Sequence, residues 1–187
     1  MTINWLPLLF AGLCFASFVW GMVWHFRRVG KPTRAMLAMA LLAAVFGSLQ
    51  IVALVHRRNR FQIPALALYA AGAALFWWSA SVTRGKLSAC GQGAVSPQVV
   101  TRGPYNYIRH PFYTSYNLTW VAGFAATAWW PLMIAAVVMA ALYERAAREE
   151  ELGLSSGPRG GDYNEYKRRT GRYLPRIAAR PAERKTQ

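Results

Sequence analysis

The chain is predicted to be an all-α membrane protein of about five transmembrane helices. Three observations predict this: uncharged apolar blocks of bilayer-spanning length, the absence of any acidic residue before Glu144, and turn-forming residues between the blocks. Spanning a hydrocarbon core of about 30 Å takes roughly 20 apolar residues. Ile3 to Trp24, Ala35 to Val55 and Gln62 to Thr83 carry no charge and each reaches that length. With 187 residues, 55% of them hydrophobic, the chain has room for a single domain.

The first block has no basic residue ahead of it and is too long for the apolar core of a signal peptide, so it reads as a retained helix. Gly21, Gly47, Ser48, Gly72 and Ser79 are small residues that let spans approach closely, and residues 1–83 read as a three-span scaffold. A polar connector follows, in which Gly85, Gly91, Gly93, Pro97 and Gly103-Pro104 exclude one long helix. Its Gly91-Gln92-Gly93 triplet lacks the strand and helix of a phosphate-binding loop and reads as a turn. Pro111 to Tyr143 is again uncharged but is 33 residues long, which suits two joined spans. Trp129-Trp130-Pro131 is the expected corner, since proline favours a first helical turn and tryptophan a membrane interface. Residues 84–176 thus form a second region containing a helical hairpin of spans 4 and 5. Residues 177–187 read as a disordered basic tail.

Charge sets the expected orientation. With the N-terminus outside and the C-terminus cytoplasmic, 19 of the 22 Lys and Arg residues lie inside and only Arg57, Arg58 and Arg60 lie outside, as the positive-inside rule favours. Topology and anionic headgroups then account for the net charge of +15, and nucleic acid is not an expected partner. Cys14 and Cys90 fall in different compartments, and no disulfide or metal spacing is present. His25 and His56 sit beside basic clusters at span ends and read as structural.

Two clusters break the apolar pattern. Thr101 to Tyr113 combines a Gly-Pro turn with Tyr105, Tyr107, Arg109, His110, Phe112 and Tyr113 at the mouth of the fourth span. Glu144, Arg145, Arg148, Glu149, Glu150 and Glu151 continue the fifth span into the cytosol, with Arg145 and Glu149 four residues apart on one helix face. Charged groups at membrane depth face a bundle interior or a wet cavity, so the two clusters are expected to close one site. Beyond them, Tyr163 and Tyr166 share a face of a short helix or turn.

These residues resemble the integral-membrane methyltransferases of the isoprenylcysteine carboxyl methyltransferase and phospholipid methyltransferase group. The resemblance rests on Gly103-Pro104-Tyr105, on Arg109-His110-Pro111-Phe112-Tyr113, on Arg145 with Glu149-Glu150, on Tyr163 with Tyr166, and on Leu174-Pro175, in that order over residues 97–176. Two departures are Ser115, where the family often has glycine, and a loop lengthened between Ser155 and Gly161. The resemblance implies S-adenosylmethionine as cofactor in a cytosolic pocket. It assigns Tyr107, Arg109, His110, Pro111, Tyr113, Glu150, Tyr163 and Tyr166 to cofactor binding. Arg145 is expected to hold an anionic acceptor and Glu149 to act as base toward an amine, both as catalytic residues. The acceptor is expected to be lipophilic, to enter from the bilayer, and by the tail's likeness to the isoprenylcysteine branch to offer a carboxylate or thiol. Membrane sterol reductases, which use a nicotinamide cofactor, share the Arg-His-Pro-x-Tyr-like turn, but Glu149-Glu150 stands where they are expected to have Arg-Asp. A non-enzymatic membrane subunit would explain the basic tail but not His110 or the tyrosine pair. The expected location is a prokaryotic cytoplasmic (inner) membrane, with the site facing the cytosol.

Overall fold

The computed structural model describes residues 5–26, 33–57, 60–83 and 99–176. Arg58, Gly85, Cys90, Gly91, Gln92, Gly93, Pro97 and the tail from residue 177, all used above, lie outside the described residues.

Six α-helices account for most of the described chain: α1 (Trp5–Trp20), α2 (Arg34–His56), α3 (Gln62–Thr83), α4 (Pro111–Thr127), α5 (Trp130–Ser156) and α6 (Gly160–Arg169). A π-helical turn, Gly21–His25, extends α1, and a 3₁₀ turn, Gly103–Asn106, precedes α4. The chain is an all-α membrane protein, and four of its helices, Trp5–His25, Arg34–His56, Gln62–Thr83 and Trp130–Ser156, are long and apolar enough to cross a bilayer. With 17 residues, α4 stands at the short end of the spanning range. Trp5, Leu9, Leu41, Ile63, Ile134 and Val137 are large apolar side chains on the outside of the bundle, where lipid is their natural solvent.

Local chemistry sets the boundaries. Thr33 caps α2, its hydroxyl accepting from the Met36 N–H at 3.2 Å. Prolines occupy the first turn of α4 and of α5, where a missing N–H costs nothing. The corner falls at Ala128, which takes the left-handed conformation (φ 50°) and donates its N–H to Phe124 at 2.7 Å. Trp129 then receives the Arg57 guanidinium over its ring at 4.4 Å, and the Arg60 N–H reaches the Ala126 carbonyl at 2.7 Å. These contacts seal one end of the bundle.

Two buried clusters fill the bundle. Phe76, Phe112, Tyr113, Tyr116, Trp120, Met139 and Tyr143 form the larger, and Cys14, Leu54, Tyr69, Ala122 and Ala126 the smaller. Between them Gln50, fully buried, donates to the Tyr69 hydroxyl at 2.9 Å and the Thr119 carbonyl at 3.2 Å. Gly123 makes room for it, because a Cβ there would lie 2.3 Å from the Gln50 side chain. At the end opposite the Ala128 corner, the His25 ring meets the Thr83 hydroxyl at 2.7 Å and packs near Phe112, tying α1 and α3 to the start of α4. Ser115 is buried against α3, its carbonyl 3.1 Å from where a Cβ on Gly72 would sit. In the Ser155 to Gly161 stretch, α5 runs through Ser156 and α6 begins at Gly160, so residues 157–159 connect the two helices.

Candidate active site

The site is built from the first turn of α4, the last turns of α5, α6 and the segment after it. Gly103 opens the approach with φ 59°, and a Cβ there would come within 2.9 Å of Val82, so this turn needs glycine on two grounds. The chain then runs through Tyr107 into an extended stretch that pairs with the segment after α6. Gly171 N–H donates to Tyr107 O at 3.1 Å, Arg109 N–H to Gly171 O at 2.8 Å, and His110 N–H to Arg172 O at 3.1 Å. Pro111 starts α4 and places Tyr113, its third residue, in the first turn.

Glu151 is the charged centre of the site. It is 2% exposed, and its Oε1 accepts from Arg109 Nε at 2.9 Å, Arg172 Nε at 3.0 Å and His110 Nε2 at 3.2 Å. Its Oε2 accepts from Arg172 Nη2 at 2.8 Å and lies 3.4 Å from Lys167 Nζ. A buried carboxylate is tolerated when cations and donors saturate it in this way. The Arg109 Nη1 also donates to the carbonyls of Lys167 and Thr170, locking α6 to the start of α4. One residue earlier, Glu150 accepts the Tyr113 hydroxyl at 2.6 Å and faces His110 Nδ1 at 3.7 Å. With Glu151 ionised, its oxygen can only accept, so His110 Nε2 carries the hydrogen of that contact.

An aromatic column leads inward from these ions. His110 stacks on Tyr113 with ring centroids 5.4 Å apart and an interplanar angle of 13°, and Tyr113 stacks on Tyr143 at 5.4 Å and 11°. Tyr143 accepts from Trp120 Nε1 at 3.2 Å. From Tyr143, Tyr116 and Trp120 an apolar groove of about 710 Å³ opens between α1 and α2, past Phe18, Met39 and Gly47. Tyr163 and Tyr166 lie on one buried face of α6, rings 5.9 Å apart, with the Tyr166 hydroxyl donating to Tyr105 O at 2.8 Å. Burial pushes the Tyr105, Tyr163 and Tyr166 hydroxyls well above the ordinary phenol range, reinforced for Tyr163 by the Glu151 charge. All three therefore stay neutral beside the carboxylates.

The structure thus brings Arg109, His110, Pro111, Tyr113, Glu150, Tyr163 and Tyr166 to one end of the bundle. Tyr107 supplies a backbone carbonyl, but its side chain is 56% exposed. Arg145 and Glu149 are not part of this arrangement. They pair with each other at 3.0 Å on the outward face of α5, 78% and 58% exposed. At 100° per residue, the inward face carries Tyr143, Glu144, Ala147, Glu150 and Glu151, and Arg145 and Glu149 fall opposite. Sequence reasoning placed Glu144 and Glu151 in the charged cluster but gave neither a role, and it missed Arg172, Tyr173 and Tyr143 as site residues. The available signal was helical phase, with Glu144 and Glu151 seven residues apart and in register with Tyr143 and Ala147.

A protein-family model described as phospholipid methyltransferase matches residues 61–155, from the start of α3 through nearly all of α5. The match covers just over half of the chain. The chain belongs to the phospholipid methyltransferase family. It is therefore a membrane methyltransferase, as the family's name and the apolar helices together require. The matched residues hold the Arg109–Tyr113 turn and all three glutamates Glu149, Glu150 and Glu151, while α6 and Arg172 of this family member lie beyond them. No curated protein matches the chain.

Proposed function

We propose that the protein transfers a methyl group from S-adenosylmethionine to a lipophilic acceptor, with the polar end of the bundle facing the cytosol. One observation carries this reading: the aromatic column His110–Tyr113–Tyr143 joins an ionic cluster at the end of the bundle to an apolar groove within it. A water-soluble cationic donor and a lipid acceptor need two such compartments meeting at one point.

The side chains suit that donor. Stacked aromatic rings favour a sulfonium by cation–π attraction. Glu150, 24% exposed and beside Tyr113, has the chemistry to accept from ribose hydroxyls or an ammonium. Bound S-adenosylmethionine would supply an electrophilic methyl group to an attacking nucleophile. The chain's own part is alignment and exclusion of water. Tyr163 and Tyr166 on α6 cover the pocket, Glu151 and Arg109 hold His110 in place, and the groove holds the acceptor's hydrocarbon so that its polar end reaches Tyr143. The exposure of Arg145 and Glu149 leaves acceptor orientation to groups on the inner face of α5.

Calorimetric titration of the detergent-purified protein with S-adenosylmethionine and, separately, with a reduced nicotinamide dinucleotide tests the reading. Saturable binding of the first alone is expected. Binding of the second alone would move the chain to reductase chemistry, and binding of neither would make it a non-enzymatic subunit. With donor binding in hand, transfer to a prenylated cysteine analogue against transfer to phosphatidylethanolamine separates carboxylate from amine acceptors.

A further inference from the structure

We propose that Arg172 is a positioning residue: it clasps Glu144 and Glu151 together and so fixes Glu150 and His110, without touching donor or acceptor itself. The inference rests on the methyl-transfer reading above. Arg172 Nε and Nη2 grip the two oxygens of Glu151, and its Nη1 donates to Glu144 Oε1. Those glutamates are two turns apart on α5, about 10.5 Å along the axis. A planar guanidinium with donors on separate nitrogens can bridge them, and an ammonium cannot do so with the same geometry. The next residue extends the grip, since the Tyr173 hydroxyl donates to Glu144 Oε2 at 2.9 Å.

The clasp is held to the rest of the site by backbone. The Arg172 carbonyl accepts the His110 N–H, so the residue that grips α5 is bonded to the residue that opens α4. Gly171 allows the sharp turn behind it, because a Cβ there would fall 1.7 Å from the Leu174 carbonyl oxygen. Two fixed points on α5 oppose rotation of that helix about its axis. Glu150, between them in sequence, owes its direction to that rotation, and His110 owes its orientation to Glu151. Without Arg172, Glu151 Oε2 keeps only Lys167 at 3.4 Å, and Glu144 keeps the mostly exposed Arg148 and the Tyr173 hydroxyl, neither of which reaches Glu151.

The test is the dissociation constant for S-adenosylhomocysteine and the turnover of the full-length protein in lipid nanodiscs, for wild type, Arg172→Gln, Arg172→Lys, Tyr173→Phe and Glu144→Gln/Arg172→Gln. The expected result is a rise in the dissociation constant of about tenfold for Arg172→Gln, the scale of a lost charged hydrogen bond. Arg172→Lys is expected to recover only part of it. The double variant is expected to be no weaker than Arg172→Gln, because both changes break one clasp. A folded Arg172→Gln that melts lower but binds and turns over within twofold of wild type would show a structural anchor and overturn the proposal. Should Arg172→Gln not fold, Tyr173→Phe decides: a two- to threefold loss supports the clasp and no change overturns it. If wild type binds no S-adenosylhomocysteine, the methyl-transfer reading itself falls and the clasp falls with it.

Discussion

Three consecutive glutamates on α5 occupy three environments: Glu149 is 58% exposed, Glu150 24% and Glu151 2%. A helix turns 100° per residue, so the three carboxylates point in different directions, and only Glu150 and Glu151 reach His110. Glu151→Gln keeps the shape but removes the charge that Arg109, Arg172 and His110 converge on. We expect it to lower stability by about 3–5 kcal/mol, as breaking a buried ion cluster does, read from thermal unfolding in detergent. Glu150→Ala and His110→Ala are expected to abolish donor binding while leaving the protein folded and membrane-inserted. Donor affinity equal to wild type in the calorimeter would remove both from the pocket. Arg145→Ala and Glu149→Ala are expected to change donor affinity and turnover less than twofold, because an exposed i,i+4 pair contributes about 0.3–0.5 kcal/mol. A tenfold fall in turnover would return that pair to the site.

At the scale of elements, helix contacts make their own predictions. Gly47 lines the groove and meets Phe15 only at ordinary contact distance, 3.5 Å, so a larger side chain fills open space there. Gly47→Leu is expected to raise KM for long-chain acceptors and leave donor affinity unchanged, and equal KM for short and long acceptors would count against an acceptor-binding groove. Gly123→Ala drives a methyl into Gln50 and is expected to cost about 1–3 kcal/mol by overpacking. Ala128→Gly relieves a left-handed alanine and is expected to stabilise by about 1 kcal/mol. Apolar runs without a charge set the limits of α2 and α3 to within one residue, and Trp129-Trp130-Pro131 announced the corner. The sequence did not reveal which side of α5 would face α4, since Glu144 to Glu151 offers a charge on almost every face. Gln50 passed unnoticed in a span because its partners, Tyr69 and Thr119, come from other helices. The pairing of Ile108 with Gly171 has no local signal at all, being a contact across 63 residues of chain.

For the molecule as a whole, alternating helices gather His25, Thr83, His110 and Glu150 at one end and Arg57, Arg60 and Trp129 at the other. A cysteine placed at Lys185 is expected to react with impermeant reagents only after the cell is opened, and labelling of intact cells would reverse the proposed orientation. Alkaline pH is expected to loosen the ionic end. Tyr105, Tyr163, Tyr166 and Tyr173 all have hydroxyls raised by burial, Tyr173 also by its bond to Glu144. Their contribution is present below the ordinary phenol pKa of about 10 and is lost as pH climbs above it, because the unfolded chain ionises first. Unfolding monitored against pH, with tyrosinate absorbance as a second signal, checks this. The 27 residues of α5 measure about 40 Å, roughly 10 Å more than a bilayer's hydrocarbon core. The surplus is about the last seven residues, which begin at Glu150 and carry Glu150 and Glu151, so the helix works as a ruler between lipid and chemistry. In membranes of graded acyl length, turnover should peak at one thickness and fall on both sides, as the pocket is drawn into the lipid or lifted clear of its substrate.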